Sequence, residues 1–322
     1  MKHAVKVFAF LFICLVVPAV CAGRGNERID YWMDAWNHFD NIYHDHMETL
    51  YCGFPYSSGH AVSLPDGFII TSHYDRAHGM ERAFVVPVEN FGRAFRAWRE
   101  GSHRCVRSDG TPYRGRDCAE KASRRFRLMY CDLHNVFPSV GSVNSKRSTY
   151  EFEQLDESAE MPFGQTCPMK FESRRVAGQG RGRRTIVVEP PDRAKGIVAR
   201  AYKYMDWAYP EYNMSGNRRR IMDAWDVQFP PDEWECERNR RIREVQGNGN
   251  PFIEAKCGEG TVELEGQREK KKHYLAPSVS ASRTAPPKGA PKTRKHKAGG
   301  PNHGVWCRLL CVQEGERGKK SC

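Results

Sequence analysis

Apolar residues recur at helical spacing across residues 27–50, at Trp32, Trp36, Phe39, Ile42, Tyr43 and Met47, and predict an amphipathic helix with one buried face. Residues 81–87 are short and mostly apolar and read as a strand. Helical spacing returns over 90–100, with Phe91, Phe95 and Trp98 on one face and Arg93, Arg96 and Arg99 near the other. Residues 101–118 form a Gly-, Arg-, Ser- and Asp-rich loop with two cysteines, and 119–130 predict a basic helix. A Gly/Arg-rich insert over 174–184 predicts an exposed loop. The later half is helical. Asp192 caps a helix through Tyr209 that turns Ile197, Ala201, Tyr204, Met205 and Ala208 inward. Residues 217–229 follow with Ile221, Met222 and Trp225, Pro230-Pro231 ends that helix, and Asp232 caps another over 233–245.

The two ends of the chain have a different character. Residues 1–22 read as a secretory signal: Lys2 and Lys6, an apolar run from Val7 to Val17, and the small residues Val20-Cys21-Ala22 for cleavage. The run is shorter than the roughly 20 apolar residues of a membrane span, and no later segment qualifies. A lipid anchor on Cys21 is the alternative, although Pro18 and Val20 fit an attachment box poorly. Lys270 opens a basic stretch, and from Ser278 to Pro301 the chain is almost entirely Pro, Ser, Ala, Gly, Thr, Lys and Arg, a composition that cannot bury enough apolar surface to order itself. The expected division is a signal over 1–22, a domain over 23–260 and a disordered tail over 261–322.

Charge and cysteines narrow the class. The tail holds fourteen Lys/Arg against five Asp/Glu and so carries nine of the twelve net positive charges. The +3 left for the rest does not by itself argue for nucleic acid. Removal of the signal leaves ten cysteines: Cys52, Cys105, Cys118, Cys131, Cys167, Cys236, Cys257, Cys307, Cys311 and Cys322. In an exported chain an even, scattered set reads as a disulfide framework of unassigned pairing. A zinc site drawn from Cys307, Cys311, His296 and His303 is the alternative, without the compact spacing such sites use.

The candidate chemistry lies in an ordered series of short segments. They are Tyr51-Cys52-Gly53; Val85-Val86-Pro87 with Asn90-Phe91-Gly92; Asp132-Leu133-His134-Asn135 with Pro138-Ser139-Val140-Gly141 and Val143-Asn144; and Gln165-Thr166-Cys167. Then come Arg193-Ala194-Lys195-Gly196 with Ala199-Arg200, and Trp234-Glu235-Cys236-Glu237-Arg238 running on to Asn250-Pro251. Over roughly 51–257 this series resembles the secreted endonuclease I family of metal-dependent nucleases. The resemblance implies an α+β fold: a ββα-metal (His-Me finger) nuclease core of two strands and a helix, embedded in a mainly helical, disulfide-linked domain. It further implies sequence-nonspecific hydrolysis of DNA, or RNA, in the periplasm or outside the cell, with no membrane association after signal cleavage. In that family a strand His is the general base, and a Glu beside it and an Asn on the helix ligate magnesium. Asn135 is read as that Asn, and His134 as its neighbour in the catalytic segment.

The family's first motif, Glu-Trp-Glu-His-Val-Val-Pro, falls on residues 81–87, where this chain has Ala83 in the Glu position and Phe84 in the His position. Phenylalanine accepts no proton and alanine binds no metal. Glu81 shares Ala83's strand face but lies two rises away, roughly 6–7 Å, and His73 or His78 would have to fold back to substitute. Ser145-Lys146 replaces a family Gly-Asp. The alternative function is a catalytically inactive pseudonuclease that binds nucleic acid; a third is an interaction protein dominated by its tail. Arg93, Arg96, Arg99, Arg124 and Arg147 are the candidate phosphate contacts, with Arg125 and Arg127 nearby.

Overall fold

The computed structural model describes residues 24–175 and 184–258. The signal, the tail with Cys307, Cys311 and Cys322, and positions 176–183 of the insert lie outside the described residues. Ten helices follow in order: α1 (Trp32–Ile42), α2 (Val88–Gly92), α3 (Arg96–Arg99), α4 (Arg116–Ala122), α5 (Arg124–Tyr130), α6 (Gly141–Arg147), α7 (Asp192–Ala208), α8 (Gly216–Gln228), α9 (Glu233–Gln246) and α10 (Pro251–Glu254). Five strands accompany them: β1 (Met80–Phe84), β2 (Val136–Val140), β3 (Glu151–Phe152), β4 (Lys170–Arg175) and β5 (Arg184–Glu189). β1 and β2 pair antiparallel, with Ala83 opposite Phe137 and Glu81 opposite Ser139. In the second sheet β5 lies between β3, parallel to it, and β4, antiparallel to it. The fold is α+β and mainly helical, as expected.

Several predicted helices are shorter or broken, each for a local reason. The helix expected over 27–50 ends at Ile42 because the chain turns at 46–56. There Thr49 Oγ1 accepts from the Phe54 amide at 2.9 Å and the Tyr56 amide donates to the Met47 carbonyl at 3.0 Å. The helix expected over 90–100 splits into α2 and α3, which lets Phe91, Phe95 and Trp98 all reach Phe126, with ring centroids 6.0, 5.3 and 5.9 Å away. Gly92 makes that bend possible, since a Cβ there would stand 2.4 Å from the Trp98 ring. Ser123 divides the basic helix by adopting an extended backbone and accepting from the Phe126 amide as the cap of α5. The insert read as a loop over 174–184 is bounded by paired strands, because Phe171, Val187 and Val188 are buried and anchor a ladder that runs out to Arg175 opposite Arg184.

The later helices match closely. Asp232 caps α9 by accepting from the Glu235 amide at 2.7 Å, whereas Asp192 is the first residue of α7 and bonds Lys195 instead of capping. At the centre of α7, Arg200 is 1% exposed and donates to Glu235 at 2.7 Å, Asp226 at 3.0 Å and the Phe229 carbonyl at 2.8 Å. One buried guanidinium therefore joins α7, α8 and α9. Burial pushes the Glu235 carboxyl above its ordinary range, and Arg200 partly offsets this.

Three disulfides are present among the described residues. Cys52–Cys167 joins the 46–56 turn to the segment before β4, Cys105–Cys118 closes the loop between α3 and α4, and Cys236–Cys257 ties α9 to the end of α10. Cys131 is buried and has no disulfide partner among the described residues. Burial raises its thiol to about 12, so it behaves as a small apolar residue and not as a nucleophile.

Candidate active site

α6 follows β2 without a loop and packs back on β1. The Gly141 amide donates to the Gly79 carbonyl at 2.8 Å, and a Cβ on Gly141 would lie 2.3 Å from the Arg76 carbonyl oxygen. Only glycine allows so close a crossing. From the far end of α6, Arg147 donates to the Phe84 carbonyl at 2.8 Å and to the Val85 carbonyl, while its guanidinium lies 4.5 Å from the Phe152 ring centroid. At 2% exposed, Arg147 braces the helix against the strand. It is not available to a phosphate, which corrects its assignment as a nucleic-acid contact.

Asn135, read as the asparagine on the helix, does not lie on that helix. Asn135 sits in a 3-10 turn (Leu133–Asn135) ahead of β2 and is fully buried. Its side chain accepts from the Val86 amide at 2.7 Å and donates to the Val86 carbonyl at 2.9 Å, so both ends of the carboxamide are consumed in extending the strand pair. The asparagine on the helix of the strand–strand–helix unit is Asn144, half-buried, with Nδ2 2.8 Å from Glu81 Oε2. The available signal was position: Val143-Asn144 lies about one helical turn past Gly141, the glycine that opens α6, whereas Asn135 precedes β2.

β1 presents different chemistry on its two faces. On one, Arg82 donates twice to Asp40, at 2.7 and 2.6 Å, and lies over Trp36 and Phe39. Phe84, on the same face, stacks on Tyr130 at 5.1 Å and meets Trp36 edge-on at 6.3 Å. The position of the family's base is therefore part of an aromatic cluster. On the other face Ala83 is 1% exposed and Glu81 reaches toward α6. Glu81 does not fill the Ala83 position, but its carboxylate arrives at the helix asparagine. His73, with φ 56°, and His78 are exposed and make no hydrogen bond or ion pair with Glu81 or Asn144.

His134 belongs to the interior. Its Nε2 is 3.0 Å from the Asn248 carbonyl oxygen, which can only accept, so Nε2 carries the proton and buried Nδ1 is left without a partner. Its backbone amide donates to Asp132, on which the Tyr204 hydroxyl (2.6 Å), the Tyr209 hydroxyl (2.5 Å) and Gln246 (2.9 Å) also converge. This network joins the 3-10 turn to α7 and α9, and His134 serves it and not the strand face. Burial lowers the imidazole pKa to about 4. The sign follows directly: between about 4 and the unfolded value of about 6.5 the unfolded chain binds more protons, so stability is lost as pH falls through that window. The expected loss is on the order of 3 kcal/mol, and denaturant midpoints at pH 7, 5 and 4 should show it flattened in His134→Gln.

Magnesium requires a shell of oxygen donors. Glu81 gives both oxygens to Arg76, Asn144 turns its amide nitrogen to the same carboxylate, and Ala83 offers nothing. Among the described residues no group of three or more His, Cys, Asp or Glu is placed to hold a metal ion. The residues present do not fit the ion.

The basic candidates divide by geometry. Residues 93–127 hold eleven Lys/Arg against four Asp/Glu, which leaves everything else before Thr261 net negative. Arg93 is exposed and makes no ion pair among the described residues. Arg96, 83% exposed, pairs with Glu100, and Arg99 donates to the Arg93 and Ala94 carbonyls at 2.7 Å. Arg124 bonds the Glu27 carbonyl and faces Asp30 at 3.4 Å. Arg96, Ser102, His103 and Ser123 border a cavity of about 410 Å³ beside the Cys105–Cys118 loop. The charge asymmetry appears only when this lobe is counted by itself.

A mainly helical α+β domain, braced by disulfides around a strand–strand–helix unit, is the class of protein that the fold and site define. Residues 45–257 match the family described as Endonuclease I, and the chain belongs to that family. It is 32% identical over 254 residues to an extracellular deoxyribonuclease of Aeromonas hydrophila, a match spanning 77% of this chain and 97% of that one. A periplasmic deoxyribonuclease of the same organism is 34% identical over 67% of this chain and 82% of its own length. An endonuclease-1 of Buchnera aphidicola (subsp. Acyrthosiphon pisum) is 30% identical over 65% and 74% respectively.

Proposed function

We propose that this protein is an exported, DNA-directed endonuclease of the endonuclease I type, slowed by the exchange of the Glu/His pair for Ala83 and Phe84. The observation that carries the substrate class is the family match over 45–257, supported by relatives named as deoxyribonucleases. The disulfides suit a periplasmic or secreted location, in keeping with the names of those relatives. No helix among the described residues is long and apolar enough to cross a membrane. The basic lobe over 93–127 supplies sequence-independent phosphate contacts through Arg93, Arg96 and Arg99, with Arg124 at its margin.

A second reading, nucleic-acid binding without hydrolysis, is favoured by the packing of Phe84 between Trp36 and Tyr130. Loss of a general base alone lowers rate by on the order of 10²–10⁴. Supercoiled plasmid incubated with the purified, oxidised protein is expected to be bound with affinity that falls steeply with salt, and to be nicked slowly. Rapid nicking that EDTA abolishes would show that the exchange at 83 and 84 is compensated and would remove the second reading. Neither binding nor nicking would remove both.

A further inference from the structure

Three elements meet at the carboxylate of Glu81. Arg76, from the 3-10 turn Tyr74–Arg76, donates from Nε to Oε1 at 2.6 Å and from Nη2 to Oε2 at 2.5 Å. Asn144 donates to Oε2 at 2.8 Å from α6. Arg76 is wedged in place, because its own carbonyl oxygen and the Glu81 Oε1 lie where a Cβ on Gly141 would stand, at 2.3 and 2.8 Å. A planar guanidinium on a carboxylate in this two-bond geometry is a strong, directional pair, and arginine keeps its charge at any working pH.

We infer that Arg76 is a built-in cation, occupying the approach that a divalent ion would need to the strand carboxylate and the helix carboxamide, so that this chain holds nucleic-acid phosphate without a metal. The inference rests on the reading above that DNA is the ligand. A divalent ion entering between Glu81 and Asn144 has to break both charge-assisted bonds and then sit beside the guanidinium it displaced. Arginine carries five N–H donors, and Glu81 takes two of those on Arg76; no acceptor for the others is found among the described residues. The Arg76 side chain is 39% exposed, so those donors face solvent at the edge of the strand–strand–helix unit. A phosphodiester oxygen suits them. The site then has the charge that a nuclease of this family would take from a metal, but fixed in the chain and without a metal-bound water, in keeping with slow nicking.

The test uses the full oxidised protein, a fluorescent DNA duplex and Mn²⁺ as the metal probe, read by anisotropy and by electron paramagnetic resonance. The natural protein is expected to bind DNA equally in magnesium and in EDTA and to bind no stoichiometric Mn²⁺. Arg76→Ala is expected to lower the slope of log affinity against log salt by about one and to acquire one Mn²⁺ per chain, lost again in Arg76→Ala/Asn144→Ala. If Arg76→Ala does not fold, Arg76→Gln keeps the bulk and should behave alike. Stoichiometric Mn²⁺ on the natural protein, or an arginine variant with unchanged salt slope and no Mn²⁺, overturns the inference. Absence of DNA binding by the natural protein would instead overturn the functional reading, and the Mn²⁺ results stay separate from it.

Discussion

Ala83→Glu/Phe84→His is expected to nick supercoiled plasmid faster than the natural chain by on the order of 10²–10⁴, with the increase abolished by EDTA. The histidine restores a proton acceptor. The glutamate adds a carboxylate on the strand face of Glu81 that Arg76 does not already occupy, since the Arg76 donors in use are both on Glu81. The substitution has a structural cost. Phe84 leaves its contacts with Trp36 and Tyr130, and a longer side chain enters at Ala83, which is 1% exposed. Overpacking of this kind typically costs about 1–3 kcal/mol, so a thermal melt must accompany the assay. Phe84→His alone should recover less, because a base without a metal ligand has no partner to stabilise the leaving oxygen. A folded double variant no faster than the natural chain would place the defect elsewhere, with Lys146, where the family has Asp, as the next position to change.

Removing the Cys52–Cys167 bridge, as Cys52→Ala/Cys167→Ala, should cost the largest share of stability of any single covalent change. The bridge closes a separation of 115 residues, shortened slightly by the nested Cys105–Cys118 bridge, whose own separation is 13. Chain-entropy reasoning gives about 4–5 kcal/mol for the long loop against about 3 kcal/mol for the short one. Urea midpoints of the two double variants, measured beside the natural protein, should rank in that order. Equal losses would mean that the unfolded chain already holds the two ends of the long loop together. The Cys131→Ala variant should differ little from the natural protein, because that thiol forms no bridge among the described residues.

The motif residues that made the family legible have mostly turned out to be struts. Cys52 and Cys167 bring two of the matched segments together, Arg193 donates to the Thr49 carbonyl at 3.0 Å beside Gly53, and Arg200 meets Glu235 across α7 and α9. Arg238 donates to the Leu133 and Val136 carbonyls at 2.6 and 2.8 Å and so holds the turn that leads into β2. A family recognised by such residues is recognised by its architecture, which is why the assignment holds with Ala83 and Phe84 in the first motif.

From the sequence alone came the helical later half with its Asp232 cap, the cysteine framework, the family with the α+β class it implies, and Ala83 and Phe84 standing where the motif has Glu and His. These rest on local signals: hydrophobic period, cap chemistry, and the identity of a side chain at a matched position. Only the tertiary structure decided which asparagine faces the strand, that Arg147 and His134 are interior supports, that Cys131 is buried, and that Arg76 closes on Glu81. Each of those depends on which groups, distant in sequence, compete for the same donor or acceptor. Asn135 and Asn144 are chemically identical in the sequence. The Val86 backbone claims one and the Glu81 carboxylate the other, and that choice exists only once β1, β2 and α6 are packed together.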